Sequence, residues 1–198
     1  MSYMAHLSKD KKLRKIVEEH GLLTLKGKKD LCNYLCASIM SQQLSTKVAS
    51  VIHQRYIDLF GGVYPLPEAI LDIQPEKLRA IGLSNAKVQY VRNVAVFALE
   101  QGMSGKQMQG MTDDEVISYL TQIKGVGRWT AEMMLMFALK REDVFPADDL
   151  GIQQAMIRLY QLDASDKKKL KEAMFRIASI WSPYRTYASM HLWKWKDQ

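Results

Sequence analysis

Cysteine is nearly absent: the 198 residues hold two, Cys32 and Cys36. Four apart in an apolar segment of helical period, they fall on one helix face and read as small core residues in a reducing compartment. A structural zinc site or a cubane iron–sulfur cluster needs about four ligands, usually thiolates, so neither is expected. Convincing alternating strand patterns are also missing, prolines are few, and no stretch is low in complexity. No apolar run approaches the roughly 20 residues of a membrane span. The opening Met1–Lys12 is not a signal peptide. An intracellular protein without membrane contact is expected, cytoplasmic and nucleoid-associated in a bacterium or nuclear in a eukaryote.

What is present points to an all-α fold. Hydrophobic residues make up 47%, enough for one sizeable domain or two small lobes sharing a core. Lys and Arg outnumber Asp and Glu by 28 to 21, a net charge of +7 that favours polyanionic partners without requiring them. Periodicity predicts helices over Lys9–His20, Leu31–Met40, Leu44–Phe60, Pro67–Asp72, Pro75–Ile81 and Asn85–Gln101. Further helices are expected over Asp113–Ile123, Arg128–Lys140 and Asp149–Tyr160, then from Asp166, and from Ser182-Pro183 through Trp193. Asp30 and Ser84 are candidate N-caps, and Thr112 with Glu115 spells a capping box. Ser182 reads as an N-cap with Pro183 in the first helical position.

The stretch Leu120–Leu139, LTQIKGVGRWTAEMMLMFAL, joins two helical patterns through Lys124-Gly125-Val126-Gly127. Glycines allow a tight turn and the close approach of another surface. Amides opening the second helix, near Gly127–Trp129, can then face a phosphate, helped by the helix dipole. Val126 would plug the turn into the fold. A plain glycine-bearing loop between core helices has the same lettering. Downstream, Phe145-Pro146-Ala147-Asp148-Asp149-Leu150 sets two carboxylates before a helix. Aspartates there serve as caps. A carboxylate held beside a sugar C1′ would also stabilise the cation formed in glycosidic cleavage and orient or deprotonate water.

Taken whole, Leu120–Leu139 resembles the helix-hairpin-helix motif of base-excision DNA glycosylases, L-P-G-h-G-x-x-T-A, with Lys124 where proline is usual. The tail Trp181-Ser-Pro-Tyr184-Arg185-Thr-Tyr187-Ala-Ser-Met-His191-Leu-Trp193 resembles the end of the alkylbase branch, the 3-methyladenine DNA glycosylase II family. The similarity runs from Leu31 to Trp193. It implies a two-lobed helical fold with the active site in the interlobe cleft, in a compact form lacking an N-terminal β-domain. Residues 31–139 would form the hairpin lobe, and residues 1–30 with 140–198 the other.

The same resemblance assigns roles. Asp149 becomes the catalytic carboxylate. Trp129, Met133, Asp148 and Trp193 would line the base pocket, Asp148 being equally a cap and Trp193 equally a core anchor. Gln43 would be the intercalating plug, with Leu44 next in line, and Leu83, in Leu78-Arg79-Ala80-Ile81-Gly82-Leu83, a wedge on the opposite strand. Gly125, Gly127, Arg128 and Thr130 would contact DNA. Lys47 and Lys87 are further phosphate candidates, although solvent-facing lysines look the same. Arg185 would serve either the fold or a phosphate. The carbonyls of Thr121, Ile123 and Val126 would hold Na⁺ or K⁺, with no other cofactor required.

Bifunctional members of the family place a lysine two residues after the second hairpin glycine, where its amine attacks C1′. Trp129 stands there, and an indole forms no Schiff base. The implied reaction is hydrolysis of the N-glycosidic bond of a flipped alkylated purine (3-methyladenine, 7-methylguanine or ethenoadenine), leaving an abasic site. An aromatic face gains extra from a cationic base. The implied partner is double-stranded DNA carrying a damaged base, met by a monomer. A non-catalytic hairpin module and a glycosylase for oxidised or mismatched bases remain alternatives.

Overall fold

A computed structural model describes residues 2–198. Among them there is no strand, and thirteen α-helices follow one another. These are α1 (Tyr3–Leu7), α2 (Lys11–His20), α3 (Leu31–Ser41), α4 (Thr46–Leu59), α5 (Pro67–Asp72), α6 (Pro75–Ala80) and α7 (Asn85–Glu100). Then come α8 (Gly105–Gln109), α9 (Asp113–Leu120), α10 (Arg128–Met133), α11 (Leu150–Tyr160), α12 (Lys167–Ala178) and α13 (Arg185–Lys196). None of them is long and apolar enough to cross a membrane.

Capping side chains set most of the helix starts. The carboxylates of Asp30, Asp149 and Asp166, the hydroxyls of Ser45, Ser84 and Ser104, and the Thr112–Glu115 capping box all accept backbone N–H groups of the helices they open. The first predicted helix starts at Lys11 instead of Lys9, because Asp10 caps it through Lys12 and Leu13. α1 and α8 have no counterpart among the predicted helices, since five residues are too few to display a period.

Two predicted helices differ more. Arg128–Lys140 is α-helical only to Met133 and continues as a π-turn, Met134–Ala138, closed by Leu139 N–H to the Met134 carbonyl at 3.0 Å. That run is apolar almost all round, so no polar stripe marks the change of pitch. The last helix starts at Arg185, and Ser182 does not cap it. The Ser182 hydroxyl instead donates to Asp143 Oδ2 at 2.7 Å, and Pro183 lies before the helix.

The chain divides into two compact units, one of Gly27–Leu139 and one joining the segment up to Lys26 with Lys140–Gln198. In the first, α3 packs on α4, α7, α10 and the π-turn, while α5 and α6 pack on α7. Cys32 and Cys36 are buried there as free thiols. In the second, α13 packs on α11 and α2 around Leu13, Val17, Ile152, Met156, Trp181 and Leu192. Asp10 ties that core together. Besides capping α2, its carboxylate accepts the Tyr160 hydroxyl at 2.6 Å and the Trp181 indole N–H at 3.0 Å.

Candidate active site

Asp149 is the N-cap of α11. Its Oδ1 accepts the Ile152 N–H at 2.8 Å and the Trp193 Nε1–H, also at 2.8 Å. Two donors on different helices therefore fix one oxygen of the carboxylate. The next helical position but one is Gly151. A Cβ there would lie 3.0 Å from Asp149 Oδ1 and 3.1 Å from Trp193 Cδ1. A bare backbone at that position lets the indole reach the carboxylate.

The loop that delivers Asp149 is bolted to the start of α13. Arg185 Nε and its terminal NH2 group donate to the two oxygens of Asp143 at 2.7 and 2.9 Å, and the Ser182 hydroxyl joins them. Burial raises the Asp143 pKa, but those donors outweigh it and hold the carboxyl below the usual carboxylate range. Thr186 Oγ1 donates to the Arg141 carbonyl at 2.6 Å and accepts the Val144 N–H at 3.0 Å. Gln153 Nε2 donates to the Ala147 carbonyl at 2.9 Å. Arg185 thus serves the fold. Asp148 caps nothing: its carboxylate pairs with Lys171 Nζ at 2.7 and 2.9 Å on an exposed face.

The hairpin lies in the other unit. Gly125 has φ +109°, and a Cβ there would lie 2.6 Å from Cβ and 2.7 Å from Cδ1 of Tyr90. Gly127, with φ −94°, caps α10 and has open space where a Cβ would stand. Val126 is buried beneath the turn. Trp129, in the first turn of α10, is 40% exposed, whereas Thr130 and Met133 are buried. The buried Thr130 hydroxyl faces the Gln42 amide at 3.5 Å, which places this side chain among the hairpin's supports. Arg128 Nε donates to Glu132 Oε1 at 3.0 Å.

Trp129, Met133 and Phe137 form one wall of a groove of about 490 Å³. Tyr34, Ser38 and Ser41 of α3, and Thr46, Ser50 and His53 of α4, line the rest. Each wall is a single helical stripe, a pattern that could be read from the sequence only once the three helices were known to converge.

Of the expected strand-penetrating residues, Gln43 and Leu44 are exposed in the α3–α4 turn, with Gln43 at φ +59°. Leu83 is 4% exposed. A wedge must project, so Leu83 is a core residue of its turn. The Lys87 ammonium donates to the carbonyls of Met40 and Gln42. Lys47 is exposed, as any surface lysine would be. Gly151 and Asp143 are the contributors that sequence reasoning missed. Of these, only the glycine inside a helix's first turn left a visible signal.

Comparison with known proteins gives one answer. The family model described as HhH-GPD superfamily base excision DNA repair protein matches residues 36–183. The chain is 36% identical to DNA-3-methyladenine glycosylase 1 of Schizosaccharomyces pombe, over 93% of this chain and 80% of that protein. The structure of the Schizosaccharomyces pombe 3-methyladenine DNA glycosylase Mag1 in complex with abasic DNA superposes with a TM-score of 0.89 at 32% identity, covering 100% of this chain and 98% of that one. A DNA-3-methyladenine glycosidase from Bacillus halodurans gives 0.82 at 36% identity, over 96% and 87% of the two chains. With its hairpin, its helix-capping aspartate and its helical fold, the chain belongs to the HhH-GPD superfamily of base excision DNA repair proteins.

Proposed function

We propose that the protein is a monofunctional DNA glycosylase that hydrolyses the N-glycosidic bond of alkylated purines, 3-methyladenine first. The observation that carries this reading is the Asp149 carboxylate, fixed through Oδ1 by the Ile152 N–H and the Trp193 indole. As the bond from C1′ to the base breaks, its electron pair leaves with the base and positive charge grows on the sugar. A pre-positioned carboxylate stabilises that charge without reorganising. Water adds at C1′, and Asp149 accepts its proton, leaving an abasic site. A purine alkylated at N3 or N7 is already cationic and departs neutral, so no acid has to protonate it.

The remaining assignments follow from the same reading. The flipped base stacks on Trp129, which gains from the positive charge of such a base. The Gly127 turn and the first amides of α10 dock on a phosphate, where the open space at Gly127 permits close approach. Gln43 and Leu44 enter the stack. The relatives' names support 3-methyladenine as substrate, and the abasic DNA in the Mag1 complex supports DNA as partner. On the same reading the carbonyls of Thr121, Ile123 and Val126 would hold a monovalent cation, Na⁺ or K⁺. The Ile123 carbonyl closes the turn by accepting the Val126 N–H at 2.9 Å. Its charge would lie beside the phosphate-facing amides.

Asp149→Asn should keep duplex binding and lower base release by about 10²–10³-fold, the scale for losing a group that stabilises the transition state. Mass spectrometry of bases freed from alkylated, deaminated and oxidised DNA measures this and fixes the substrate range at once. Full activity of the variant would overturn the catalytic assignment. No release by the wild-type protein from any of the three would favour a binding module in which Asp149 is only a cap.

A further inference from the structure

Lys87 occupies the third position of α7, where its own N–H is capped by Ser84 Oγ at 3.3 Å. A cation there faces the positive end of the helix dipole. The side chain is also partly buried, which penalises its charged form and lowers its pKa from the usual lysine range. Nothing within α7 favours a lysine at this place. What favours it lies on α3. The ammonium donates to the Met40 carbonyl at 2.9 Å and the Gln42 carbonyl at 2.7 Å. Both belong to the C-terminal end of that helix, where carbonyls lack intrahelical donors and the dipole is negative.

Immediately beyond those carbonyls the chain makes an exposed turn. Gln42 ends α3, Gln43 adopts a left-handed conformation with φ +59°, and Leu44 N–H returns to the Ser41 carbonyl at 3.1 Å. Ser45 then caps α4. The Gln42 amide reaches the Gly125 carbonyl at 3.4 Å, a second and weaker tie, to the hairpin. The exposed pair Gln43-Leu44 therefore stands on a base gripped by Lys87 from below.

We propose that Lys87 is a positioning residue for base flipping: by capping α3 it sets the direction in which Gln43 and Leu44 enter the DNA stack, and it does not bind a phosphate. This rests on the glycosylase reading above. A lysine that braces an intercalating loop and one that contacts the backbone leave different traces, because only the second releases counterions.

The test compares wild type, Lys87→Met and Lys87→Arg on duplexes carrying 3-methyladenine, either fully paired or within a mismatched bubble where little stacking has to be broken. Lys87→Met should slow excision from the paired duplex by about tenfold or more and from the bubble by no more than about threefold. Lys87→Arg, which can still reach both carbonyls, should recover most of the loss. A 2-aminopurine beside the lesion should show a smaller unstacking signal with Lys87→Met. The slope of log affinity against log salt should stay unchanged. A slope shallower by about one would mean a phosphate contact instead. Equal loss on both substrates, or no loss on either, would overturn the proposal. If wild-type protein releases no base, the glycosylase reading falls, while the 2-aminopurine signal and the salt slope still decide the role of Lys87.

Discussion

Trp193 uses its ring and its nitrogen for separate purposes. The ring packs against the core of its unit, while Nε1 donates to Asp149 Oδ1 at 2.8 Å. Trp193→Phe keeps most of the ring and deletes the donor. It should lower kcat by about tenfold, the equivalent of one hydrogen bond to a charged group, with little change in KM. Steady-state excision assays decide this; a loss confined to KM would show that the indole only holds the base. Gly151→Ala should act through the same contact, since its methyl would press on both partners at 3.0–3.1 Å. The capping role of Asp149 was legible in the sequence, because Asp-Asp-Leu-Gly before a helix announces a cap. The role of Gly151 was not, because it depends on α13 arriving over α11.

At the scale of elements, the two hairpin glycines do different work, although their lettering is symmetric. Gly125 needs its positive φ, and the ring of Tyr90 occupies the space of any Cβ. Gly125→Ala should therefore destabilise its unit by about 2–4 kcal/mol, combining backbone strain with a steric clash. Gly127 has an ordinary φ and open space. Gly127→Ala should melt within a few degrees of wild type yet bind duplex DNA several-fold more weakly, because the methyl blocks close approach of a phosphate. Thermal melts and duplex titrations separate the two; equal melting temperatures would contradict the assignment. The motif was visible as a string, but this asymmetry required the α7 residue Tyr90. The burial of Leu83 was hidden for a related reason: lettering cannot tell an apolar residue that projects from one that turns inward.

For the whole molecule, the all-α class was readable because helical periodicity and caps agree along most of the chain. How the chain responds to acid was not, since the histidine shifted furthest has surroundings that come from distant segments, while burial and Lys28 lower the pKa of His53 as well. His191 is fully buried on α13, its Nε2 without a partner, and its ring stacks on His20 with Nδ1 atoms 3.4 Å apart. Tyr3 lies 6.0 Å away, and Lys194 adds positive charge. Burial first, then His20 and Lys194, push its pKa down to about 4 from 6.5. Below pH 6.5 the unfolded chain takes up a proton that the folded one refuses. Stability from this residue is therefore complete above pH 6.5 and is lost as pH falls towards 4. Between pH 7.5 and 5 the loss should be about 2 kcal/mol. Denaturant titrations at the two pH values measure it, and His191→Phe should remove most of the difference. Because His20 and His191 share a unit with Asp149 and Trp193, base release in acid should fail together with the fold of that unit. A variant whose stability became flat with pH while its activity still fell below pH 6.5 would place the titrating group elsewhere.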